Sequence, residues 1–172
     1  TIYVPDDYAT IQGAIDASVN GDVVIVRPGT YVENIDFVGK AITVRSEDGP
    51  DVTAIDGNQA GSVVTFVSGE GLDSVLEGFT ITNGTGKIIG YYTGGGGIYC
   101  DLSSPTITGN SITGNTAVWG GGGIWCGTSS SPVIQNNIIK GNTVARGGGI
   151  FCYYDSFAVI SSNTILGNTA DN

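Results

Sequence analysis

The sequence predicts an all-β solenoid, a single chain wound into coils of short parallel strands and closed at its start by a small helix. Three observations predict it. A hexapeptide recurs as Gly95-Gly96-Gly97-Ile98-Tyr99-Cys100, Gly121-Gly122-Gly123-Ile124-Trp125-Cys126 and Gly147-Gly148-Gly149-Ile150-Phe151-Cys152, so that the cysteines stand 26 residues apart. Two further blocks follow each copy, one around Ile107, Ile134 and Ile160, the other around Ile112, Ile139 and Ile165. Within every block the apolar residues fall at alternate places, which is strand spacing, and Gly, Asn and Ser separate the blocks. A fixed period of this size marks a repeat architecture. Three strands per period with no helix between them suit a triangular coil, in which equivalent strands stack in parallel at about 4.8 Å. The rest of each coil is the crossover that parallel neighbours require, and such crossovers are right-handed. The expected fold is therefore a single-stranded right-handed parallel β-helix of three sheets and about six coils, with a short N-terminal capping α-helix.

Stacking turns the repeat into columns. Ile98/Ile124/Ile150, Ile107/Ile134/Ile160 and Ile112/Ile139/Ile165 are expected to point inward and form the core. Cys100, Cys126 and Cys152 share the face of the first isoleucines, because side chains alternate across a strand. Asn110, Asn137 and Asn163 are expected to stack at one corner, where Asn tolerates left-handed backbone and its amide can bond the Asn above and below. Asn115/Asn142/Asn168 repeats this at a second corner. The triple glycines mark a corner that excludes a Cβ or needs positive φ.

Taken in order, the 172 residues read as one domain: a cap over 1–21, irregular coils over 22–93 and regular coils over 94–172. Thr1 to Val4 opens as a strand. Ile11, Ala14, Ile15 and Val19 then fall at helical spacing, ending near Asn20-Gly21, and this helix lies across the first coil as a lid. Strands are expected near Val23–Val26, Val32–Val38, Ala41–Arg45, Val52–Asp56, Val63–Val67 and Val75–Thr82. Residues 84–93 lengthen one corner, on the outside where binding loops tend to sit. The chain starts without Met or a signal-type segment and stops just after a repeat. It reads as a mature or excised piece of a longer protein or assembly.

Net charge is −10, with six basic residues and no His. Lacking a basic patch, the chain is a poor partner for nucleic acid or an anionic membrane surface. No apolar run reaches the 18 residues of a membrane span.

The segments Thr10-Ile11-Gln12-Gly13-Ala14-Ile15-Asp16 and Pro28-Gly29-Thr30-Tyr31-Val32-Glu33-Asn34-Ile35 resemble the opening of pectinesterase-like right-handed parallel β-helices, in the pectin lyase-like superfamily. Leu76-Glu77-Gly78-Phe79-Thr80-Ile81-Thr82-Asn83-Gly84 and the Gly-rich units are similar to the β-helix repeats of bacterial and archaeal surface proteins. The resemblance implies the fold and an extracellular or cell-surface location. It implies no one activity, since this fold carries lyases, esterases, adhesins and fibres alike.

Candidate sites follow from the columns. Tyr99, Trp125 and Phe151 alternate with the inward residues and are expected on the outer face, with Tyr91, Tyr92, Trp119, Tyr153 and Tyr154 near. They read either as a self-stabilising ladder or as a flat contact platform for sugars or protein. The three cysteines read as packed thiols, since parallel Cβ vectors suit a disulfide poorly. No set of residues matches the Arg-containing motifs of pectate lyase-like sites or the Asp-Phe-Ile-Phe-Gly-type signature of pectinesterase-like ones. The carboxylate pairs Asp6/Asp7, Glu47/Asp48 and Glu70/Asp73 read as solvated corners. Turn chemistry also explains Glu47–Asp51 and Asp56–Asn58 better than Ca²⁺ binding does, and no cofactor is expected. Thr80/Thr82 and Thr106/Thr108 give a remote ice-binding reading. The expectation is a non-enzymatic extracellular scaffold or filament subunit, associating with itself or other surface proteins through a sheet face or its C-terminal end. A carbohydrate-binding or polysaccharide-processing β-helix is the alternative.

Overall fold

The computed structural model describes residues 1–90 and 92–171; of Ile89 and Tyr92 it describes the backbone. Three parallel sheets wrap one core. The first holds seven strands, Ile2–Val4, Val23–Val26, Thr43–Ser46, Val75–Glu77, Thr106–Thr108, Val133–Gln135 and Val159–Ser161. The second holds six: Gly29–Val32, Thr53–Asp56, Thr80–Thr82, Ser111–Thr113, Ile138–Lys140 and Thr164–Leu166. The third holds five: Ile35–Asp36, Val64–Phe66, Ile98–Cys100, Ile124–Cys126 and Ile150–Cys152.

Register places like on like. Ile98 pairs with Ile124 and Ile124 with Ile150; Ile107 pairs with Ile134 and Ile134 with Ile160; Ile112 pairs with Ile139 and Ile139 with Ile165. Burial is complete for these columns up to the last described rung, where Ile160 and Ile165 become 46% and 50% exposed. The cysteine column continues a phenyl one: Cys100 pairs with Phe66, whose ring lies 4.4 Å from that of Phe37. The thiols thus occupy places that the earlier coils give to large apolar groups.

Both asparagine ladders form. Asn110 Nδ2 donates to Asn137 Oδ1 at 3.2 Å and Asn137 Nδ2 to Asn163 Oδ1 at 3.0 Å. Asn115, Asn142 and Asn168 repeat the pattern at the next corner. Each amide also donates to a carbonyl on the preceding rung, such as Asn142 Nδ2 to Ile112 O, so the buried corner leaves little polar capacity unused. The left-handed residue is not the ladder asparagine but the one before it: Gly109, Asn136 and Ser162 at one corner, Gly114, Gly141 and Gly167 at the other. Positive φ there turns the following side chain into the core. The spacing is also less strict than 26: Asn110 and Asn137 are 27 apart, the extra residue being absorbed in the turn after Cys126.

Four early expectations shift. The helix runs Ile11–Ala17 and stops at Ser18, leaving Val19 outside it and 68% exposed. The run Val32–Val38 takes in the end of one strand, Gly29–Val32, and the whole of the next, Ile35–Asp36. The run Val75–Thr82 divides at Gly78, whose φ of 78° turns the corner between the first and second sheets. As a result Thr80/Thr82 lie on the second sheet, stacked on Ser111, while Thr106/Thr108 lie on the first, stacked on Val75 and Glu77. The two Thr pairs do not form one face. The inserted corner is an antiparallel hairpin, Lys87–Ile89 with Tyr92–Gly94.

Candidate functional site

The outer face of the third sheet carries the aromatic column. Tyr99 stacks on Trp125 with centroids 6.2 Å apart and planes 8° from parallel; Trp125 stacks on Phe151 at 5.0 Å and 24°. Of the two readings the sequence left open, the rings do not present a flat open platform: Tyr99 is 6% and Trp125 only 2% exposed. The chain folds back over the rings. Trp119 lies 5.2 Å from the Trp125 ring and 5.8 Å from Phe151, and Tyr153 sits 5.4 Å from Trp125 and 5.3 Å from Trp119. A Cβ at Gly120 would come 2.6 Å from the Trp125 ring, so glycine is what lets this segment lie on the indole. Lys87 Nζ stands 5.8 Å from the Tyr99 ring centre and Arg146 Cζ 5.7 Å from that of Trp119, cations over ring faces. Burial, with Asp101 adding, pushes the Tyr99 hydroxyl up to about 12. Trp125 Nε1 is the buried side-chain polar atom without a partner among the described residues. Of the other candidates, Trp119 joins the cluster, while Tyr91 and the side chain of Tyr92 lie outside the described residues. Tyr154 and Phe157 are 68% and 73% exposed.

The inward cysteines are free thiols. Cys100 is fully buried, and burial raises its thiol, with Glu70 and Asp101 contributing. The Cys126 thiol donates to the Cys152 sulfur, which holds Cys126 protonated and lowers Cys152 to about 7. Cys152 is the exposed member.

The sequence placed Glu70 with Asp73 on a solvated corner, and this too is corrected. Asp73 is exposed, but Glu70 is 2% exposed, its carboxylate accepting from Gly39 N at 2.8 Å, Ser68 N at 2.9 Å and Ser103 Oγ at 2.7 Å. Those donors come from three coils, and three charge-assisted bonds offset the cost of burial. Asp56 is likewise engaged, accepting from Asn58 N and Asn83 Nδ2, both at 2.8 Å. Among the described residues no cluster of three or more His, Cys, Asp or Glu is placed to hold a metal ion. No helix is long and apolar enough to cross a membrane, again among the described residues.

Three parallel sheets around stacked isoleucine and asparagine columns define a class, and the family comparison agrees: residues 20–171 match the model of the right-handed β-helix region. The chain belongs to that family. It is similar to a cell surface glycoprotein of Methanothermus fervidus, 32% identical over 111 residues that make up 63% of this chain. Those residues span 15% of the relative's length. No solved structure matches.

Proposed function

We propose that this chain is a rigid scaffold segment of a surface protein, without catalytic activity of its own. The observation that carries the reading is continuity: inward columns and two asparagine ladders run from coil to coil, so the buried asparagines and Glu70 find their partners on neighbouring rungs. Asn110, Asn115, Asn137, Asn142 and Glu70 are all at most 2% exposed. The β-helix family and the name of the Methanothermus relative support a place at the cell surface. The exposed apolar rung at Ile160 and Ile165 offers an edge on which another coil of the same kind would stack.

Burial of Tyr99 and Trp125 favours the ladder reading of the aromatic column over an open sugar platform. A carbohydrate role would fall to the exposed Tyr153, Tyr154 and Phe157 at its end. A glycan array with Tyr154→Ala as control separates the two readings, and ligand binding lost in that variant would favour the second. Immunogold electron microscopy of intact source cells tests the first. Label in a layer at the outer surface supports it, and label confined to the cell interior removes it.

A further inference from the structure

We propose that Asn83 is an N-glycosylation site, the one corner of the solenoid from which an oligosaccharide is carried. The inference rests on the surface reading above, since the modification requires export. The chain contains one Asn-X-Ser/Thr triplet, Asn83-Gly84-Thr85, although it holds 12 asparagines, five of them followed directly by Thr or Ser.

The triplet arises where the repeat is inverted. The equivalent corners read Gly114-Asn115-Thr116, Gly141-Asn142-Thr143 and Gly167-Asn168-Thr169, with glycine at positive φ and the asparagine turned into the core. Gly84 holds the ladder place in its coil, since its N–H donates to Asn115 Oδ1 at 2.9 Å as Asn115 N donates to Asn142 Oδ1 at 3.0 Å. It cannot be asparagine: a Cβ there would fall on the Gly96 carbonyl oxygen. Asparagine is displaced one place back instead, to the left-handed position, with φ 58° at Asn83. That shift does two things at once. It moves the amide from the buried ladder to an exposed corner, and it brings the recurrent threonine two residues downstream. In the regular coils that second place is held by Ala117, Val144 and Ala170, and the asparagines are not acceptors.

The surroundings leave room. Gly57, Gly84 and Gly86 flank the corner without side chains. Asn83 Nδ2 donates to Asp56 Oδ2 at 2.8 Å on the exposed side, and a glycosylated amide keeps one N–H for that bond. In the transfer, Nδ2 gives up one proton to a base of an oligosaccharide transferase and bonds to the anomeric carbon of a lipid-phosphate-linked sugar. The anomeric C–O bond breaks, and the lipid phosphate leaves with the electron pair. The Thr85 hydroxyl completes the acceptor triplet. A glycan there keeps the edge between the second and third sheets hydrated, and directs lateral contacts to the first sheet.

The test is mass spectrometry of the native protein recovered from the cell-surface fraction of its source. Cleavage after Arg45 and Lys87 releases Ser46 to Lys87 as one peptide. Sugar mass increments mapped to Asn83 by electron-transfer fragmentation are expected. They should vanish in Asn83→Gln and in Thr85→Ala and persist in Thr85→Ser, which keeps the triplet. A bare peptide from surface-localised protein overturns the site while leaving the surface reading intact. Protein found only inside the cell overturns both.

Discussion

At the start of the solenoid the core is closed by a helix; at the last described rung the same columns are half exposed. The helix Ile11–Ala17 buries Ile11, Ala14 and Ile15 completely, and its ends are held by the coils beneath it. The Glu33 carboxylate accepts from the N–H groups of Ile11 and Gln12 at 2.9 and 3.0 Å, beside the Thr10 cap. Lys40 Nζ donates to the carbonyls of Ile15, Asp16 and Ser18 at 2.7 to 2.9 Å, filling the opposite end of the helix. At the other end Ile160 occupies the same column as the fully buried Ile107, yet is half exposed. The difference teaches that a residue in this fold has no fixed worth; what it contributes depends on whether a rung lies on both sides.

The sharpest way to test this comparison is to delete matched residues in the middle and at the edge. Asn142→Ala strips partners from Asn115 N, Asn115 Nδ2 and Ile112 O in a buried corner, and is expected to cost about 4 kcal/mol. Asn168→Ala, with solvent at hand, is expected to cost about 1 kcal/mol. Urea midpoints measure both, and equal losses would break the comparison. Ile107→Ala should cost about 3 kcal/mol through the cavity it leaves. Ile160→Ala should cost less than about 1 kcal/mol, having less burial to lose. Lys40→Met probes the closed end. A loss of about 1–2 kcal/mol is expected, with faster hydrogen exchange at the amides of the helix and little change beyond it.

The smallest effect is chemical. Cys152, lowered to about 7, gains thiolate as pH rises through neutrality, so its alkylation by iodoacetamide should climb across that range and then level. Cys100, buried and raised, should stay unmodified until the protein is denatured. Peptide mass spectrometry reads both, and equal labelling of the two would contradict the stacked column.

The columns were legible in the sequence because each is written three times in register, and alternation assigned Ile98 and Cys100 to one face and Tyr99 to the other. What a period does not record is how corners fold over faces. Trp119 covers Trp125 through a loop whose path depends on Gly120, and nothing in the spacing reveals that contact. Glu70 looked like a turn carboxylate because two of its three donors lie 31 and 33 residues away, at Gly39 and Ser103, in coils too irregular to align by eye. Gly78 reads equally well as a strand interruption or a corner, and only the second choice separates Thr80 from Thr106.

The asparagine stacks have a direction: each side-chain oxygen accepts from the asparagine of the turn before, while each amide gives one hydrogen forward to the next asparagine and one back to a carbonyl of the preceding rung. Every layer is therefore a mould for its successor, and layers are interchangeable so long as whole ones are exchanged. Excising 121–146 would splice Gly120 to Gly147 and leave a shorter tower with its courses aligned, whereas removing one residue from the middle of a strand would throw that course out of line with both its neighbours.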